Sequence, residues 1–93
     1  MLSKPRAILL ELYLEGPSAP LALGAAVTTT GSNLSYFLKR LEEAGVLRRE
    51  GQGTSRTVRL NDPVRVHEIL LRYPPLPEQP LDRFTRFWAD LHP

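Results

Sequence analysis

The chain contains no cysteine. That removes disulfides, thiolate metal sites and cysteine nucleophiles together. Histidine is nearly missing as well: His67 and His92 stand far apart, and neither has a partner at metal-ligand spacing. No bound metal and no metal sensing are therefore expected. Long hydrophobic runs are lacking too. None approaches the roughly eighteen residues that span a bilayer, so no membrane association is expected. The opening stretch MLSKPRAILLELYLEG carries Glu11 and Glu15 and has no small-residue cleavage site. It reads as a helix of the mature fold rather than a signal peptide, which places the protein in the cytoplasm. The acids are scattered, and no Ser/His/Asp set falls on plausible faces. Gly51-Gln52-Gly53 lies between two predicted strands, where a phosphate loop would need a following helix. Neither an enzyme nor a cofactor is expected.

What remains is an ordinary globular composition, with 42% hydrophobic and 24% charged residues over 93 positions. That length suits one compact unit near the lower end of what buries a self-sufficient core. The net charge of +2 is modest, but it is unevenly placed. Residues 1–60 hold eight Lys/Arg against five Asp/Glu, and residues 61–93 hold four against five. Between Arg48 and Arg59 there are four arginines and one acid. A local basic patch suits phosphate binding through counterion release, although a charged hairpin is also a common solvated edge.

The first periodic segment is Ala7 to Leu14, with Ser3 as a cap, Pro5 in the first turn and Gly16-Pro17 as the stop. A short second helix is predicted from about Pro20 to Ala26, capped by Ser18. Gly24 weakens it, since glycine costs up to about 1 kcal/mol inside a helix. A strong helical pattern runs from Gly31 to Ala44, capped by Thr29 or Thr30 and ended by Gly45. Leu34, Phe37, Leu38 and Leu41 form its apolar stripe. Val46–Glu50 and Arg56–Leu60 read as paired strands around a glycine-bearing loop. Asn61-Asp62-Pro63 then caps a helix to about Tyr73, with Val66, Ile69 and Leu70 as its apolar face. Prolines 74, 75, 77 and 80 make a stiff connector, followed by a final helix in 81–93.

Two helices, a tight turn, a third helix and a basic hairpin describe an α+β, mostly α, winged helix-turn-helix. It has a three-helix core and a two-stranded wing in residues 1–73, with C-terminal helices added. The third helix would enter the major groove, where each base pair presents a distinct pattern. Its candidate readers are Ser32, Asn33, Tyr36, Lys39 and Arg40, with Thr29 and Thr30 at its start for a phosphate. Arg48, Arg49, Gln52, Thr54, Ser55, Arg56 and Arg59 would lay the wing on the backbone or minor groove. Each residue also has a plainer reading. Ser32 and Asn33 could satisfy local amides, Tyr36 could pack half-buried, and Lys39 and Arg40 could form a solvated face with Glu42 and Glu43.

The run GSNLSYFLKRLEEAGVLRREGQGTSRTVRLND resembles the recognition helix and wing of ArsR-like and MarR-like winged-helix regulators. Ser35, Leu38, Lys39, Leu41, Glu42, Ala44, Gly45 and Val46 fit the run those families share, and the likeness covers about Arg6 to Tyr73. It implies a transcriptional regulator whose partner is double-stranded DNA. Family members that sense metals use cysteines or His/Asp clusters, so that property is not implied.

The last helix carries Leu81, Phe84, Phe87, Trp88 and Leu91 at helical spacing. Its aromatics would each bury roughly 150–250 Å² once covered. Either they fold back on their own domain or they pair with a second subunit. A homodimer is expected, because the proline connector projects the helix away and an exposed apolar patch marks an interface. Two recognition helices would then stand about 34 Å apart on a pseudo-palindromic site. The competing function is a protein–protein interaction module within a nucleic-acid-processing complex.

Overall fold

Helix α1 (Ser3–Glu15) lies at the centre of the fold, in contact with two further helices, α2 (Pro20–Ala26) and α3 (Gly31–Glu43), and with later elements. This follows from its composition: Ile8, Leu9 and Leu12 are buried, and Leu10 packs against the same core. The computed structural model describes residues 3–29, 31–52, 56–75 and 81–92, apart from the side chains of residues 3, 81, 82 and 84. Among the described residues no helix is long and apolar enough to cross a membrane.

The protein is a small α+β fold, mostly helical. Among the described residues, five helices accompany one antiparallel pair, β1 (Leu47–Glu50) and β2 (Thr57–Leu60). The pairing register sets Leu47 against Leu60 and Arg49 against Val58 on one face of the ribbon. Arg48 against Arg59 and Glu50 against Thr57 occupy the other. The first face carries the buried Leu47 and Val58 and packs toward α1 and α3. Period-two alternation therefore separates core from solvent, as the sequence pattern predicts.

Two expectations about α2 change. Ser18 does not cap it: the cap position is Ala19, which makes no side-chain bond, and Pro20 opens the helix. The Ser18 backbone is instead paired with Val58, by N–H···O bonds of 3.0 and 2.8 Å, and forms an isolated antiparallel bridge. Proline has no amide proton at the first helical position, so one of the groups a cap would satisfy is already gone. Gly24, read as a weak point, is a steric requirement. A Cβ there would meet the Thr29 carbonyl oxygen at 2.6 Å and a Leu34 methyl at 3.0 Å.

Helix α3 ends as its sequence predicts. Gly45 takes φ +81°, its N–H donates to Glu42 O at 2.9 Å, and the Val46 N–H donates to Leu41 O at 3.3 Å. These are the two bonds of a Schellman motif, completed by the buried pair Val46 and Leu41. Helix α4 (Pro63–Arg72) is capped by Asp62, whose carboxylate accepts from the Arg65 N–H at 3.2 Å. Its other end is covered by Arg6, which donates to Tyr73 O at 2.5 Å and Leu70 O at 3.3 Å. A cation at carbonyls with no partner in the helix is the favourable arrangement for a helix C-terminus.

Helix α5 (Leu81–Leu91) returns to the domain. Phe87, Trp88 and Leu91 are buried in the same cluster as Ile8, Leu38 and Ile69. Residues 81–91 thus share one core with residues 3–75 rather than forming a projecting unit. Polar contacts near its C-terminus help to hold the helix there. Arg65 donates to Asp90 O at 3.0 Å and to Leu91 O, Arg72 pairs with Asp90 at 3.1 Å, and the Tyr73 hydroxyl donates to Asp90 Oδ2 at 2.5 Å. The Tyr73 ring also meets Phe87 edge-on, with centroids 5.6 Å apart. Of the residues expected to pair with a second subunit, Phe87, Trp88 and Leu91 are covered by their own chain, the fold-back alternative for this helix. The Leu81 and Phe84 side chains, and connector residues 76–80, lie outside the described residues.

Candidate nucleic-acid interface

The apolar stripe of α3 fixes which of its side chains face outward. Leu34, Leu38 and Leu41 are buried and Phe37 is half-buried. That rotation exposes Ser32, Asn33, Ser35, Tyr36 and Lys39 along the opposite side. The predicted readers Ser32, Asn33, Tyr36 and Lys39 therefore share an exposed helix face. Tyr36 is 55% exposed, and its ring meets Phe37 edge-on at 5.4 Å.

Arg40 differs from this group. It is half-buried, its NH1 donates to the Tyr36 hydroxyl at 3.0 Å, and its guanidinium lies 4.0 Å from the centre of the Trp88 ring. The cation–π contact fixes it between α3 and α5. Thr29 is also displaced from its expected role. It is buried, 8% exposed, and its N–H donates to Gly24 O at 2.9 Å. Its burial, with the backbone bonded in the turn, leaves little of it open to a phosphate. Thr30 lies outside the described residues.

The ribbon is less cationic than its arginine count implies. Glu50 Oε2 accepts from Arg48 Nε at 2.9 Å, while Glu50 Oε1 accepts from Arg59 NH1 at 3.1 Å. Arg48 and Arg59 are direct cross-strand partners, so this one carboxylate relieves repulsion between like charges facing each other. Glu50 is held below the usual carboxylate range first by its bond from Arg48, and the bond from Arg59 adds to this. Arg49, on the inner face, reaches Glu42 of α3 at 3.3 Å. Arg56 and Gln52 are exposed at the two ends of the loop, and Thr54 and Ser55 lie outside the described residues.

Asn61 is a residue that sequence reasoning treated only as part of a cap. Its Nδ2 donates to Gly45 O at 2.9 Å, its Oδ1 accepts from Arg48 NH1 at 2.9 Å, and its N–H donates to Val46 O at 3.0 Å. It thereby ties the end of α3 to the base of the ribbon. A single asparagine after a strand gives no local sign of this, because its partners lie thirteen to sixteen residues back.

The arrangement presents neutral hydrogen-bonding groups and one lysine on a rigid helix, flanked by a ribbon of arginines partly neutralised by glutamates. Among the described residues no group of three or more His, Cys, Asp or Glu could hold a metal ion. No protein-family model matches the chain, and no curated protein or solved structure matches it.

Proposed function

We propose that this protein is a winged helix-turn-helix that binds double-stranded DNA in a sequence-specific manner and serves transcriptional regulation. The observation that carries the reading is the exposed row Ser32, Asn33, Tyr36 and Lys39 on a helix whose opposite side packs on the core through Leu34, Leu38 and Leu41. An α-helix fits the major groove, and asparagine can bond an adenine edge at two points. The element order adds support: three helices precede an antiparallel ribbon, and the Ser18–Val58 bridge supplies a short third strand position. Arg48 and Arg59 on the outer ribbon face, with Arg56 beside them, would lie on the phosphate backbone. A two-fold pair of such units would have to meet through surfaces other than Phe87, Trp88 and Leu91.

The test is duplex binding across a salt series. With about three to five cations engaged, log affinity should fall against log salt with a slope of roughly −3 to −5. Asn33→Ala should reduce discrimination between sites by about 1–3 kcal/mol while leaving non-specific binding nearly intact. Absence of duplex binding at low salt would remove the proposal. Unchanged site preference in Asn33→Ala would remove the base-reading role of that residue alone.

A further inference from the structure

Where α3 meets the end of α5, the side chains of Tyr36, Lys39, Arg40, Glu43 and His92 line a cleft of about 370 Å³. Volumes of that order accommodate small ligands. The groups that converge here are unusually matched. Arg40 is fixed in place, with its guanidinium 4.0 Å from the Trp88 ring centre and bonded to the Tyr36 hydroxyl at 3.0 Å. Because the Tyr36 oxygen accepts that bond, its own O–H points elsewhere and can donate to a ligand. Lys39 is exposed beside them, and His92 approaches from α5, where its backbone N–H bonds Trp88 O at 3.4 Å. Against three nitrogen-bearing groups and a phenol stands one carboxylate, Glu43.

We propose that this cleft binds a phosphoryl group, with Arg40 and Lys39 as charge partners and His92 and Tyr36 as hydrogen-bond donors. Several donors arranged around one point suit an anion that offers several oxygens, and a guanidinium held by an aromatic ring is pre-organised for it. Glu43 forms the unfavourable wall and weakens binding of any anion. The phosphoryl group has two sources, a DNA backbone phosphate or a free phosphorylated compound. The first rests on the DNA-binding reading above; the second does not.

The chain has one tryptophan, and it touches Arg40, so Trp88 fluorescence reports on the cleft. The experiment titrates the full chain with inorganic phosphate at constant ionic strength, with chloride as the reference. Phosphate is expected to give a saturable change that chloride does not. Lys39→Ala and His92→Ala should each weaken it about three- to tenfold, and Glu43→Gln should strengthen it about threefold. All three residues are exposed, so the variants keep the fold. No saturable change, an equal change from chloride, or variants that bind phosphate like the parent would each overturn the proposal. A second arm adds a 20-base-pair duplex. Displacement of phosphate assigns the site to the backbone, and duplex binding without displacement assigns it to a free phosphorylated compound. Phosphate binding alongside a duplex that does not bind at all leaves the cleft standing and overturns the DNA-binding reading instead.

Discussion

Replacing Gly24 with alanine sets two opposing effects against each other. Alanine is preferred over glycine in a helix interior by about 0.8–1.0 kcal/mol, so propensity alone makes Gly24→Ala stabilising. The packing opposes it. The new methyl would stand 2.6 Å from the Thr29 carbonyl oxygen and 3.0 Å from a Leu34 methyl. Leu34 can move, but the carbonyl belongs to backbone that Thr29 N–H pins to Gly24 O at 2.9 Å. Overpacking costs about 1–3 kcal/mol, and a backbone neighbour places this site at the upper end. The net expectation is a loss of about 2 kcal/mol after the propensity gain is subtracted. For a domain of this size that lowers the thermal midpoint by about 8–16 °C, measured by circular dichroism. Ala25→Gly is the internal comparison, because Ala25 is exposed in the same helix and should lose only about 1 kcal/mol. A midpoint for Gly24→Ala at or above the parent value would refute the steric argument and return α2 to propensity alone.

Other consequences are measurable with the same material. Trp88→Ala should cost about 3–5 kcal/mol in denaturant unfolding, because it empties a core position, and it should leave the sedimentation behaviour unchanged. Dissociation of a dimer at unaltered stability would contradict the fold-back of α5. Glu50→Gln removes the carboxylate shared by Arg48 and Arg59 and should raise duplex affinity about three- to tenfold with a steeper salt slope; equal affinity would show that the ribbon does not touch DNA. The Asp90 carboxyl is held below its ordinary range first by the Tyr73 hydroxyl and then by Arg72. A depressed folded value contributes stability above the unfolded value of about 4, and that contribution is lost as pH falls through the folded value. The gap in thermal midpoint between the parent and Asp90→Asn should therefore be constant near neutrality and close in acid below about pH 4. A gap that widens there would reverse the assignment.

Local signals in the sequence were sufficient where a feature depends on neighbours in the chain. Gly45 after an apolar-periodic run gives a Schellman end, and Asp62 before Pro63 gives a capped helix, because both sets of partners lie within five residues. The alternation of Val58 and Leu60 with Thr57 and Arg59 likewise fixes which ribbon face is inner. Features that depend on distant partners were not legible. Ser18 has the chemistry of a cap, yet its backbone is taken by Val58, forty positions on. Gly24 looks like a weak helix residue until the Thr29 carbonyl is placed against it.

The same distinction decides how much of the predicted site remains available. Periodicity correctly assigned Ser32, Asn33, Tyr36 and Lys39 to the outer side of α3, because their exposure follows from the burial of Leu34, Leu38 and Leu41. It could not separate Arg40 from them, since the residue that holds Arg40 is Trp88 on another helix. Nor could a count of arginines show that Glu50 and Glu42 neutralise part of the ribbon. The aromatic residues of α5 were read as a surface seeking a second subunit. Phe87 and Trp88 instead pack inward and complete the core, and Trp88 holds Arg40 beside Lys39 and His92. The C-terminal helix thus shapes, from within the same chain, the face of α3 that carries Tyr36, Lys39 and Arg40.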